Sequence, residues 1–223
     1  MSNEIMKPIA PFRIGAQRTG LAARKSAQVD SSVPKEPSPA EMEHRIGIVF
    51  DDSGSMASSN KITDAHAGVE EFLRSCEAGK TAVTIAPMCS DAYPLTTNLP
   101  ALSILVKNIR ALGDSTPLLR TLRRMKKESN LTRAIVFSDG IPDSTNLDGI
   151  TEEFGIVDTI LISSQYGTND AARNFMRSFA ERTGGIFLEF KAGQSNFRTA
   201  FKYLSPGLRY MLADKSFVEQ IQK

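Results

Sequence analysis

Residues 45–56 read RIGIVFDDSGSM, a mostly apolar run that ends in two acids and a Ser-Gly-Ser segment. Three later runs have the same β-branched, apolar character with almost no polar alternation: TAVTIAP at 81–87, RAIVFS at 133–138 and VDTILIS at 157–163. Strands that are buried on both faces have this composition. The sequence therefore predicts a central sheet of buried strands, the first of which runs directly into a polar loop.

Segments with helical periodicity lie between these runs. Their apolar stripes consist of Ile62, Ala65, Val69, Phe72, Leu73 and Cys76; of Leu102, Leu105, Val106, Ile109 and Leu112; of Leu118, Leu122 and Met125; and of Ala172, Phe175, Met176 and Phe179. Strands that alternate with helices form an open, mostly parallel sheet, and right-handed crossovers place helices on both of its faces. The predicted fold class is therefore α/β, with a doubly wound, Rossmann-like sheet.

Composition divides the chain into three parts. Residues 1–42 show no sustained period and end in a Pro/Ser-rich stretch, so we expect a flexible N-terminal arm. Residues 1–40 carry six Lys or Arg against three Asp or Glu, which makes the arm basic. The folded domain is predicted over residues 43–205, and residues 206–223 are predicted to be a C-terminal extension.

Several protein classes are not expected from the composition. Cys76 and Cys89 are too few for a disulfide framework, and both are expected to be small buried hydrophobes. The chain shows no secretory leader, and no window approaches the ~20 apolar residues of a membrane span. A cytoplasmic location without a membrane partner is therefore expected.

The polar loop after the first strand lies where ligands bind to parallel sheets, beyond the carboxyl ends of the strands. Alternate residues of a tight loop can point the same way, so this loop can direct one carboxylate and two hydroxyls at one ion. Mg²⁺ requires further oxygen ligands, and GDSTPLL at 113–119 and VFSDGIPD at 136–143 offer them. The predicted metal ligands are Asp51, Ser53, Ser55, Thr116 and Asp139.

The segments DDSGSM, STPL and VFSDGIPD, in this order, resemble the von Willebrand factor A (vWA) domain with its metal-ion-dependent adhesion site (MIDAS). The resemblance covers about residues 45–204 and is closest to the intracellular bacterial or phage forms. It implies that the two serines bind the ion directly, whereas the threonine and the acids bind directly or through water. It also implies Mg²⁺, with Mn²⁺ or Ca²⁺ as alternatives, and an open position that takes an Asp or Glu carboxylate from a protein partner.

The predicted function is thus a Mg-dependent protein-binding module, an adaptor or assembly subunit and not an enzyme. One alternative is a structural subunit of a larger complex whose metal site is passive. Another is a phosphatase of the haloacid-dehalogenase type, whose signature places a second acid two residues after the nucleophilic Asp. Here that position is Ser53, so the acid–base residue is missing.

A basic cluster lies on the third predicted helix and consists of Arg120, Arg123, Arg124, Lys126 and Lys127. One interpretation is a solvated helix face. The other is a docking surface, residues 120–127, that meets an acidic partner together with the basic arm. No aromatic residues interleave with these cations, so a nucleic-acid partner is not expected.

Overall fold

The computed structural model describes residues 37–164, 167, 169–194 and 196–222. Its strands are β1 (His44–Phe50), β2 (Thr81–Pro87), β3 (Tyr93–Thr96), β4 (Arg133–Ser138), β5 (Ile156–Ser163) and β6 (Phe187–Lys191). In this part of the chain they form one six-stranded sheet in the order β3-β2-β1-β4-β5-β6. The edge strand β3 is antiparallel and all other pairs are parallel, which confirms the predicted fold class.

Helices cover both faces of this sheet. They are α1 (Lys61–Ser75), α2 (Leu99–Val106), α3 (Leu118–Ser129), α4 (Ile150–Glu153), α5 (Asp170–Arg182), α6 (Phe197–Lys202) and α7 (Lys215–Ile221). One hydrophobic core joins the sheet to α1, α2, α6 and α7, and a second core joins it to α3, α4 and α5. The four predicted strands and the helices predicted around residues 62–76, 118–125 and 172–179 are confirmed.

Strand β1 contributes side chains to both hydrophobic cores. Ile46, Ile48 and Phe50 face the core of α1 and α6, whereas Val49 belongs to the core of α3. Gly47 leaves room for α3 close to β1, since a Cβ at this position would lie 2.4 Å from the Cε of Met125 and that side chain would have to move. An apolar run with a glycine in its middle therefore fits a central strand that is covered on both sides.

The second predicted helix is shorter than its stripe. Helix α2 ends at Val106, and two tight turns follow, in which the N–H groups of Asn108 and Ile109 donate to the carbonyls of Leu105 and Val106. Leu112, which the stripe placed on the buried face, is 84% exposed. Strands β3 and β6 were not among the runs used to predict the sheet; both are short, and β3 is only partly buried.

At both ends, the buried core includes residues outside the predicted domain boundaries. Met42, which the sequence assigns to the arm, is 3% exposed, so the core begins slightly before residue 43. Residues 1–36 lie outside the described residues, and the flexibility predicted for the arm lies there with them. At the other end, Leu212 and Ile221 of the predicted extension are buried in the core of α1.

None of the helices in the described ranges combines the length and the apolar character that crossing a membrane requires.

Candidate metal centre

The centre of the predicted site lies where β1 and β4 end side by side. Phe50 pairs with Phe137 in the parallel ladder, so Asp51 and Ser138 follow at the same edge. The Asp51 side chain is fully buried, and its carboxylate accepts hydrogen bonds from the backbone N–H of Ser53, at 2.9 Å, and from the hydroxyl of Ser138. Two donors therefore hold this carboxylate in one orientation.

The serine hydroxyls connect the first loop to the loop after β4. Ser53 Oγ lies 3.0 Å from Ser55 Oγ, and Ser55 Oγ donates to Asp139 Oδ1 at 2.7 Å. Together with the bond from Ser53 N to Asp51, these contacts join four of the five predicted ligands into one hydrogen-bonded network. We call Asp51, Ser53, Ser55 and Asp139 the acidic cluster.

A backbone bridge brings the loop before α3 to the same place. Gly54 N donates to Gly113 O at 2.7 Å, and Gly113 N donates to Asp52 O at 2.9 Å. Glycine is needed here because a Cβ on residue 113 would lie 2.2 Å from the Sγ of Cys89 and 3.2 Å from the carbonyl O of Asp52. The bridge also explains why α2 stops early, since the chain must leave the helix to reach this loop.

The fifth predicted ligand, Thr116, is not bonded to the acidic cluster in the described part of the chain. Its backbone N–H donates to Asp143 Oδ1 at 2.8 Å, and Asp143 N donates to Thr116 O at 3.0 Å. These bonds tie the Thr116 loop to the loop that carries Asp139. Among the described residues, no hydrogen bond joins the Thr116 hydroxyl to the other four predicted ligands.

Lys61 also belongs to the candidate site, and the sequence motifs did not predict it. Its ammonium contacts Asp139 Oδ2 and lies 3.4 Å from the carbonyl O of Ser55, and its side chain is only 8% exposed. Lys61 is the first residue of α1, where a cation opposes the helix dipole. The sequence did contain a signal for this residue. Lys61 directly follows a loop rich in acids and hydroxyls and stands at the start of a predicted helix.

Charge and burial together make the acidic cluster favourable for a cation. Burial raises the pKa of Asp51, the hydrogen bonds from Ser138 and Ser53 oppose this rise, and the nearby charge of Asp139 adds to it. Removing two carboxylates from water is costly unless a positive charge compensates them. In this structure the ammonium of Lys61 provides that charge on the Asp139 side.

The donor types fit a hard divalent cation. The acidic cluster offers two carboxylates and two hydroxyls, the oxygen ligands that suit Mg²⁺, Mn²⁺ and Ca²⁺. In the described parts of the chain, no three His, Cys, Asp or Glu side chains come together in a group that could hold a metal ion. The candidate site consequently depends on serine hydroxyls as much as on acids.

Asp52 points away from the acidic cluster. Its carboxylate accepts hydrogen bonds from Cys89 N at 2.8 Å and from Ser90 Oγ at 3.0 Å. Asp52 therefore anchors the loop after β2.

The expectation of two buried cysteines was wrong, because Cys89 is exposed and Cys76 is half-buried.

Four residues of the basic cluster on α3 form two groups, and the fifth, Lys127, is exposed. Arg123 pairs with Glu153 through two nitrogens at 2.8 Å, and the Lys126 ammonium lies 5.3 Å from the centre of the Phe154 ring. Arg120 and Arg124 instead line a groove with residues 88–91 and Pro117, and both are exposed. We call Arg120 and Arg124 the arginine pair.

Comparisons with sequences identify no relatives. No protein-family model matches the chain, and neither does any curated protein.

Solved structures do match. An aerotolerance-related membrane protein from Bacteroides fragilis aligns with a TM-score of 0.56 and 14% identity, over 75% of this chain and 100% of that one. The VWA domain of SpRpn10 aligns with a TM-score of 0.50 and 10% identity, over 74% and 96% of the two chains. Proximal thread matrix protein 1 from the mussel byssus, with a zinc-occupied MIDAS motif, aligns with a TM-score of 0.50 and 16% identity. That alignment covers 77% of this chain and 48% of the mussel protein, so the chain spans about half its length. The fold is vWA-like.

Proposed function

We propose that the chain is a protein-binding module that holds Mg²⁺ at the acidic cluster and through it engages an Asp or Glu carboxylate of a protein partner. It acts as an adaptor or assembly subunit and not as an enzyme. The observation that carries the proposal is the network from Asp51 through Ser53 and Ser55 to Asp139 at the carboxyl edge of the sheet. The mussel protein, whose MIDAS motif holds zinc, supports metal binding by a fold of this kind.

Each residue of the acidic cluster has a distinct task in this proposal. Ser53 and Ser55 offer hydroxyl oxygens, while Asp51 and Asp139 supply the negative charge. If Mg²⁺ were bound by these residues, it would supply an electrophilic centre that could attract one more anion. Because two carboxylates offset a divalent charge, an incoming Asp or Glu meets little net repulsion.

The surface around the acidic cluster suits a protein partner. Leu112 directly precedes the bridging Gly113, and Ile141 follows Asp139 by two residues; these side chains are 84% and 42% exposed. Exposed apolar side chains beside a polar site are typical of interaction surfaces. The arginine pair lies on the helix that follows the Thr116 loop and adds positive charge. The expected partner is therefore acidic and carries apolar residues next to its coordinating carboxylate.

The proposal is tested by capture of proteins from the native host with the chain as bait. Mg²⁺ should retain a partner that a chelator releases, and Asp139→Asn should fail to retain it, because the variant loses one of two cluster charges with little change in shape. Calorimetry should show about one equivalent of Mg²⁺ for the parent protein and none for the variant. Circular dichroism of the variant is the control for folding.

Two outcomes would point elsewhere. Unchanged Mg²⁺ binding by Asp139→Asn would contradict the site assignment. A partner that stays bound in chelator would favour the alternative, a structural subunit with a passive metal site.

A cytoplasmic location and kinship with bacterial or phage vWA proteins stay predictions from the sequence.

A further inference from the structure

The buried lysine of the site is unusual for its position. Lysine side chains are rarely buried, and a buried ammonium is stable only when it is paired. Lys61 begins α1, where the helix dipole disfavours a cation, so helix stability does not explain its placement. The residues before it, Ser59 and Asn60, both have positive φ, of 55° and 62°. The backbone therefore adopts a disfavoured conformation directly before the residue that reaches the acidic cluster.

The contacts of Lys61 coincide with those that a metal would need. Asp139 accepts from the Ser55 hydroxyl with Oδ1 and contacts the Lys61 ammonium with Oδ2, so both of its oxygens are engaged. The side chain of Asp139 is 2% exposed in this state. The same ammonium lies 3.4 Å from the carbonyl O of Ser55. A divalent ion that bound Asp139 would meet a positive charge already in place.

We propose that Lys61 is a tethered cation that competes with the divalent ion for Asp139 and so sets the metal affinity of the site. The inference rests on the proposed metal site. Without metal, Lys61 neutralises one of the two buried carboxylates and allows the cluster to stay folded. With metal, the flexible lysine stem carries the ammonium away from Asp139, because two cations repel strongly in a partly buried site.

The test compares Mn²⁺ binding by the parent chain with binding by Lys61→Gln and Lys61→Met. Glutamine keeps a hydrogen-bond donor and removes the charge, whereas methionine removes both. Lys107→Met is the matched control, since Lys107 pairs with Glu70 at 3.0 Å on the protein surface. Titration calorimetry gives the dissociation constants, and thermal unfolding without metal reports on the fold.

Both Lys61 variants should bind Mn²⁺ at least about tenfold more tightly than the parent, because one neighbouring charge typically changes the affinity for a cation by that much or more. Lys107→Met should match the parent. Without metal, Lys61→Met should melt at a lower temperature than the parent, and saturating Mn²⁺ should raise its melting temperature more.

Three results would overturn the inference. Equal or weaker Mn²⁺ binding by both Lys61 variants would show that the lysine does not compete. Parent-like binding by Lys61→Gln with loss of binding by Lys61→Met would assign Lys61 a hydrogen-bonding role in the loop. Absence of binding by the parent and by every variant would remove the metal site itself, and this outcome is distinct from the other two.

Discussion

A substitution at Thr116 distinguishes two hypotheses: that the metal site gates partner binding, or that it only stabilises the fold. Its backbone is fixed by Asp143, yet its hydroxyl is bonded to none of the other predicted ligands in the described contacts. Thr116→Ala should therefore change Mg²⁺ affinity little. It should weaken partner binding by about 1–3 kcal/mol, the cost of a lost charge-assisted interaction.

Competition binding with the captured partner, at saturating Mg²⁺, measures this effect. Thr116→Ser keeps the hydroxyl and is the matched control, which should bind the partner as the parent does. Equal partner affinity for Thr116→Ala and the parent would reduce Thr116 to a loop residue that supports the start of α3.

At the same scale, the sequence predicted that the candidate ligands Asp51, Ser53, Ser55 and Asp139 lie at one edge of the sheet, where the structure joins them by hydrogen bonds, but it did not predict the lysine beside them. Asp51, Ser53 and Ser55 could be placed because they directly follow a buried strand, and Asp139 because it follows the neighbouring one. Lys61 could not be placed, since its contact with Asp139 joins residues 78 positions apart and depends on how α1 packs at the sheet edge. A contact of this kind produces no local pattern in the sequence.

At the level of elements, helix α3 has one face that packs into the core and one that is exposed. Arg123 is held by Glu153, whereas the arginine pair lines a groove in which Arg124 donates to the carbonyl O of Ser90 at 3.3 Å and neither arginine pairs with an acid among the described contacts. Arg120→Ser combined with Arg124→Ser should slow partner association about tenfold at low salt, because exposed charges act mainly on the association rate. The affinity for Mg²⁺ should not change.

Surface plasmon resonance at two salt concentrations measures this rate. Arg123→Ser is the control on the same helix and should leave association unchanged, since its charge is already compensated by Glu153. If the double variant associated as fast as the parent at both salt concentrations, the groove would not be part of the interface.

The hydrophobic periodicity of the sequence predicted most helices and strands, because buried strands and amphipathic helices have a clear pattern of apolar residues. The prediction failed where a loop contact or a position at the sheet edge determined the conformation. The stripe through Leu112 continues in sequence, but Gly113 must bridge to the first loop, so the helix ends at Val106. Strand β3 lies at the edge, is only partly buried and contains Pro94, which removes the usual strand signal.

On the scale of the whole molecule, the predicted C-terminal extension is part of the folded domain. Arg209 donates to both oxygens of the fully buried Asp158, at 2.8 and 3.1 Å, and Arg133 of β4 pairs with the same carboxylate. Arg209→Ala should lower the free energy of unfolding by about 1–3 kcal/mol, because hydrogen bonds to a charged, buried group are lost.

Urea denaturation measures the change. Arg74→Ala is the surface control: its pair with Glu71 is 66% exposed on the arginine side, so its loss should cost less than about 1 kcal/mol. Equal stability of Arg209→Ala and the parent would mean that the hydrogen bonds of Arg209 to Asp158 do not stabilise the fold.

Diffraction from crystals grown with Mn²⁺ tests the central claim most directly, since the anomalous signal locates the ion without reference to a partner. The account predicts one peak at the acidic cluster, about 2.2 Å from the hydroxyl oxygens of Ser53 and Ser55, with the Lys61 ammonium moved away from Asp139. A cluster without an anomalous peak at millimolar Mn²⁺, with Lys61 still on Asp139, would contradict it.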